Sequence, residues 1–172
     1  RLTIGWAASQ VIIKACSMVD TDAKRIAQEF LDRQGAATVA GNVEATLAFC
    51  SLPCVLESPQ GRVLATTEDE MRAICATFVD GLRMKRVTHM VRRCLEAEFQ
   101  DRDTLLVAYE TRLVSEGQFL SEAPYAGFVV LRRRGNDWKI SSMQLAVEGS
   151  NPAVTTLRRW ADQRARADRD DR

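Results

Sequence analysis

Histidine is nearly absent from this chain: of 172 residues, only His89 is one. The five cysteines (Cys16, Cys50, Cys54, Cys75 and Cys94) are scattered, odd in number and never spaced C-x-x-C. One histidine and thiols this far apart do not make a zinc site, and a chain of this length has no need of a disulfide scaffold. Free thiols in odd number point to a reducing compartment, the cytoplasm. Net charge is almost missing too, since 24 Lys plus Arg against 23 Asp plus Glu leave +1, too little to recruit a polyanion from a distance. Aromatic residues make up only 6%. None interleaves with the basic clusters Arg83, Lys85, Arg86, Arg92, Arg93 and Arg132 to Arg134, which read as solvated strand ends and not as a nucleic-acid surface. The longest apolar stretch, Ile4 to Ala15, is broken by Gln10 and Lys14, lacks a secretory exit and is too short to span a bilayer. Gly-rich phosphate loops, Ser-His-Asp orders and metal motifs are missing as well. Nucleic acid, membrane, cofactor and metal are therefore not expected.

What is present is ordinary globular material, with 46% apolar and 27% charged residues and a mean hydropathy of −0.19. The length suits one domain. Met18 is followed by an acidic helix start at Asp20-Thr21-Asp22, so Met18 reads as the natural start and residues 1–19 as a disordered or non-native leader. Residues 20–150 form the expected domain. From Leu157 on, six Arg and four Asp surround only Leu157 and Trp160 as large apolar anchors, so 151–172 reads as a charged helix or tail.

Within the domain, Ile26, Ala27, Phe30, Leu31 and Gln34 recur at helical spacing and predict a helix over 21–39. Gly41-Asn42 breaks it, and Asn42 caps a short second helix carrying Val43 and Leu47. Cys54-Val55-Leu56 and Arg62 to Ala65 flank Gln60-Gly61 as a hairpin. Thr67-x-x-Glu70 is a capping box, after which Met71, Ile74, Cys75, Phe78, Val79 and Leu82 mark one face of a third helix. Four segments rich in β-branched and aromatic residues follow, at 87–99, 104–115, 125–133 and 138–147, joined by turn material into an antiparallel meander.

The expected class is α+β: three N-terminal helices packed on a strongly curved, mostly antiparallel sheet, giving a cone-shaped barrel with an apolar pocket. Tyr125 to Leu131 is apolar on both faces, with Phe128 and Val130 on one and Val129 and Leu131 on the other. The helices cover one face only. The other calls for a partner sheet, most simply a second copy of the chain, so a homodimer is expected.

The order of elements, the Gly41-Asn42 break, the strand end C-V-L-E-S-P at 54–59 and the closing R-R-R-G-N-D-W-K-I-S-S-M-Q at 132–144 resemble the nuclear transport factor 2-like superfamily. Within it they resemble the SnoaL-like polyketide cyclase and ketosteroid isomerase side. The resemblance covers residues 20–147 and implies a curved-sheet α+β barrel, a deep apolar pocket and a sheet-mediated homodimer. Ketosteroid isomerases place an aspartate base at the first strand end and hold the oxyanion with a helix-one tyrosine and a protonated aspartic acid. Matched to this sequence, Gln34 stands at the tyrosine position with Phe30 one turn earlier, and Val129 stands at the acid position. The base position falls on Ser58 if Pro59 is the anchor and on Glu57 if Phe49 is.

Glu57 at the mouth of an apolar pocket would be a general base, or else a solvent-facing strand-end carboxylate. His89 titrates near neutrality without help and would be acid or base, or else a half-exposed strand residue. Tyr109 alternates with Val107 on the face that the family pattern makes the inner one, where its hydroxyl would meet a ligand or a backbone group. Glu110 falls on the opposite face, where an arginine partner is expected. The expected catalytic set is thus Glu57, His89 and Tyr109, and the ligand-lining set is Phe30, Gln34, Ser58, Val107, Val129 and Met143. The expected function is a cofactor-free isomerase, cyclase or dehydratase on a small apolar carbonyl or hydroxyl ligand. The alternative is a non-catalytic binding or dimerisation module, or a small scaffolding subunit.

Overall fold

The computed structural model describes residues 6–117, 119–147 and 151–170. Helix α1 (Trp6–Val39) begins well before position 21, where the acidic residues had placed its start. Its buried stripe of Ala23, Ala27, Phe30, Leu31, Gln34 and Thr38 has the helical period that faces a core. The helix ends where Gly41 enters the left-handed region (φ 75°). There the Gly41 N–H donates to Thr38 O and the Asn42 N–H to Ala37 O, closing the last turn. Asn42 then caps α2 (Val43–Leu47) by accepting from the Ala45 N–H at 2.9 Å.

Helix α3 (Glu68–Met84) starts at a complete capping box between Thr67 and Glu70 and buries Met71, Ile74, Cys75, Val79 and Leu82. Each such side chain contributes ~1.5–3 kcal/mol by leaving water.

The strands are β1 (Cys50–Ser58), β2 (Gly61–Ala65), β3 (Val87–Asp101), β4 (Thr104–Ser115), β5 (Phe119–Leu120), β6 (Tyr125–Arg134) and β7 (Asp137–Ala146). They form one sheet in the order β2-β1-β7-β6-β4-β3, with the short β5 on β4. The meander expected from the four long segments is β3-β4-β6-β7, and the hairpin joins it through a parallel β1–β7 pairing. The fold is therefore α+β, with helices on the inner face of a mixed, mostly antiparallel sheet.

Cross-strand rows define that inner face: Arg92–Thr111–Tyr125, Cys94–Tyr109–Gly127–Leu145, and Ala97–Val107–Val129–Met143–Leu56. Gly127 belongs in its row because Tyr109 lies over it: a Cβ there would sit 2.4 Å from Tyr109 Cζ. Glu110 faces outward and pairs with Arg112 at 3.0 Å.

Helix α4 (Pro152–Asp170) takes up the segment read as a charged helix or tail, but its first turns are packed instead of solvated. Asn151 is fully buried and accepts from the Ala153 N–H at 3.0 Å, with Pro152 at the first helical position. Ala153, Val154, Thr156 and Leu157 are buried against the body of the fold. The charge-rich residues that made this segment read as solvated lie further on, so its first turns are a fourth packed helix.

Candidate functional site

A cavity of about 70 Å³ lies between the inner sheet face and the helices. Its walls are apolar: Leu56 from β1, Met71, Ile74 and Phe78 from α3, Ile140, Met143 and Leu145 from β7, and Ala153 and Leu157 from α4. Gln34, Thr46, Arg92, Tyr125 and Thr156 add the polar groups, and Cys50 and Cys75 add thiols.

The polar groups are linked. Arg92 Nη1 donates to Gln34 Oε1. Gln34 Nε2 donates to Thr38 Oγ1 at 3.2 Å, and the Thr38 hydroxyl donates to Gln34 O at 2.8 Å. The Arg92 guanidinium also lies 5.5 Å from the centre of the Tyr109 ring, within cation–π range. Helix α1 fixes the strand that carries this arginine. The Gln28 side chain donates to Arg92 O and accepts from the Cys94 N–H, both at 2.8 Å, and so satisfies the backbone of the outermost strand.

Burial controls the titrating groups. It pushes the Tyr109 phenol up to about 12 against the opposing pull of the Arg92 charge, and it pushes Tyr125 up as well. The neighbouring Cys54 thiol, with burial, pushes Cys50 up to about 12, and Cys50 in turn drives Cys75 upward. At neutral pH the cavity thus holds protonated thiols, a neutral phenol and one permanent cation.

The expected site residues separate. Gln34 and Met143 line the cavity. Tyr109 is wholly enclosed beside it, with no hydrogen-bond partner for its hydroxyl among the described residues. Val107 and Val129 are likewise fully buried in the packed part of the inner face. Glu57 and Ser58 line a groove on the opposite face of the sheet with Ala126, Phe128 and Gln144, where Glu57 Oε2 accepts from Gln144 Nε2 at 3.3 Å. His89 is exposed at the start of β3, its Nδ1 3.0 Å from Thr88 Oγ1. Phe30 packs edge-on against Phe49 and borders a shallow groove with Arg33 and Trp138. The three residues expected to act together therefore do not converge: strand alternation sends Glu57 outward from Leu56, and His89 precedes the stretch of β3 that α1 covers.

Sequence reasoning missed Arg92, which it had assigned to a solvated cluster, and the α4 wall. Arg92 shares strand parity with Met90 and Cys94, which was the available signal. Val91 and Leu95 on the other parity obscured it. For α4 the signal was the Asn151-Pro152 pair.

No protein-family model matches the sequence, and no curated protein matches it. Solved structures do match the fold. A protein of unknown function from Mycobacterium tuberculosis superposes with a TM-score of 0.57 at 12% identity, covering 92% of this chain and 96% of its own. A nuclear transport factor 2-like protein of unknown function from Shewanella oneidensis gives 0.56 at 13% identity, covering 69% and 94%. A ketosteroid isomerase-like protein from Erwinia carotovora atroseptica gives 0.53 at 18% identity, covering 72% and 94%. This is the nuclear transport factor 2-like fold. In this fold the interior and the site need not share residues with those of any other protein, because the fold hosts many unrelated activities. Among the described residues no group of His, Cys, Asp and Glu is placed to hold a metal, and no helix is long and apolar enough to cross a membrane.

Proposed function

We propose that this chain is a SnoaL-like small-molecule-binding protein whose ligand occupies the cavity under α1, α3 and α4. The observation that carries this reading is the cavity's composition: apolar walls from four elements, with the linked polar side chains of Gln34 and Arg92 among them. Convergent polar groups in an otherwise apolar enclosure fix a ligand's orientation while its burial provides affinity.

Binding is favoured over acid–base catalysis by what lines the cavity. Among the described residues bordering it there is no Asp, Glu or His. The thiols and the phenol are all pushed upward in pKa, so none accepts a proton readily near neutral pH. The free thiols of Cys50, Cys54, Cys75 and Cys94 support a cytoplasmic setting.

The same reading includes a homodimer through the outer sheet face. Val91 is 51% exposed, Leu95 40% and Phe128 36%, and Leu106, Ala108 and Val130 lie half-buried among them. An apolar patch spread over three adjacent strands is what a partner sheet would cover.

The test is native mass spectrometry of the protein purified from its own host, beside Ile74→Trp, which fills the cavity. One small molecule per wild-type chain, absent from a folded Ile74→Trp, is expected. A wild-type chain that neither carries nor takes up any small apolar molecule would overturn the reading.

A further inference from the structure

Among the described residues, nothing neutralises the charge of Arg92. It is buried, with only 6% of the residue exposed. Among the described residues no carboxylate lies within ion-pair distance of it. Nη1 is engaged by the neutral Gln34 amide, and buried Nε has no hydrogen-bond partner among the described residues. A guanidinium does not escape by losing its proton, and a buried charge without a counter-charge is strongly unfavourable. Glu122, the carboxylate that acts on Tyr125, is occupied by Lys85, and the two tyrosines around the arginine are held neutral by burial. Arg92 is nevertheless held firmly in place, bracketed by Gln28 on its backbone and by Gln34 and Tyr109 on its side chain.

We infer that the cavity takes a compact monocarboxylate, its carboxylate on the Arg92 guanidinium and its apolar body against Leu56, Ile74, Phe78 and Leu157. This rests on the binding reading above and adds the ligand's chemical class. A planar carboxylate matches the donor fork of arginine and supplies the missing charge. A single cation with no second basic side chain in the lining matches a monoanion, whereas a phosphate dianion would leave net charge buried. The volume of about 70 Å³ admits the centres of ~5 waters at ~10–15 Å³ each, which suits a compact apolar body.

The experiment uses the full chain with benzoate and hexanoate as probes and benzyl alcohol and hexanol as neutral analogues, with affinities read by protein-observed NMR titration. In wild type the carboxylates are expected to bind at least ~10-fold more tightly than the alcohols, the scale of one charge-assisted hydrogen bond. Arg92→Met should abolish that preference, and Arg92→Lys should restore part of it. Equal affinity for acids and alcohols in wild type would overturn the monocarboxylate assignment and leave the binding reading standing. Absence of both kinds of ligand from wild type would overturn both. The wild-type comparison decides the matter even if Arg92→Met does not fold.

Discussion

Replacing Gly127 with alanine is the most exacting test of how the inner sheet face is built. Gly127 sits in the middle of β6 opposite Tyr109, and its backbone is not in the left-handed region, so its requirement is for space alone. A Cβ there would lie 2.4 Å from Tyr109 Cζ, 2.6 Å from its hydroxyl oxygen and 2.8 Å from Cε2. Ordinary contacts between carbon atoms fall at ~3.5–4.0 Å, so the overlap is about 1 Å. Tyr109 has no exposed surface into which to retreat, and Arg92 lies against its ring. Overpacking of this kind costs ~1–3 kcal/mol, and a clash with an enclosed ring belongs at the upper end, about 3 kcal/mol. Urea unfolding followed by tryptophan fluorescence measures it directly. Tyr109→Leu removes the far half of the ring and is itself destabilising through the cavity it leaves. In the double variant the alanine methyl should occupy part of that space, so the two losses should fall short of their sum by about 2 kcal/mol, whereas independent sites add within ~0.5 kcal/mol. A Gly127→Ala loss below ~0.5 kcal/mol, or strict additivity with Tyr109→Leu, would refute the reasoning.

Other outcomes follow from the same structure. Tyr109→Phe keeps the ring and deletes a buried hydroxyl that lacks a partner, so it should be neutral or stabilising by up to ~1 kcal/mol; a loss above that in urea would reveal a hidden bond. Tyr109 and Cys50 are both pushed up to about 12, from ordinary values of 10.0 and 9.0. The native state therefore holds these protons more tightly than the unfolded chain, and stability should be intact below pH 9 and fall as the pH rises toward 12. Tyr109→Phe should make that fall shallower above pH 10, and an unchanged urea midpoint profile would contradict the assignment. Val130→Glu, by placing an unpaired charge in the apolar outer face, should yield monomer or aggregate in sedimentation velocity, and an unchanged dimer would mean that a different face is used. Glu57→Gln should leave folding and ligand binding unaltered, because Glu57 borders the outer groove and not the cavity; altered ligand binding in an NMR titration would place Glu57 in the site after all.

Much of this protein was decided locally and could be read without a structure. The capping box at Thr67 and Glu70, the Gly41-Asn42 break and the two-residue periodicity of the long strands depend only on neighbours in sequence, and they determined α3, the end of α1 and the meander. The site did not follow from such rules, because a cavity exists only where distant elements fail to touch. Arg92 and Arg93 are adjacent and alike, and one of them had to point inward. Pairing with β4, which sets Arg92 across from Thr111 and Arg93 across from Glu110, together with α1 lying across the inner face, chose Arg92. In the same way, nothing local told whether Ala153, Thr156 and Leu157 would face water. They became a wall because α4, capped by Asn151, lies over α3 and β2, burying apolar side chains that the charges farther along the helix had concealed. Local rules thus set most of the elements, whereas long-range packing selects which charge is enclosed and what surrounds it.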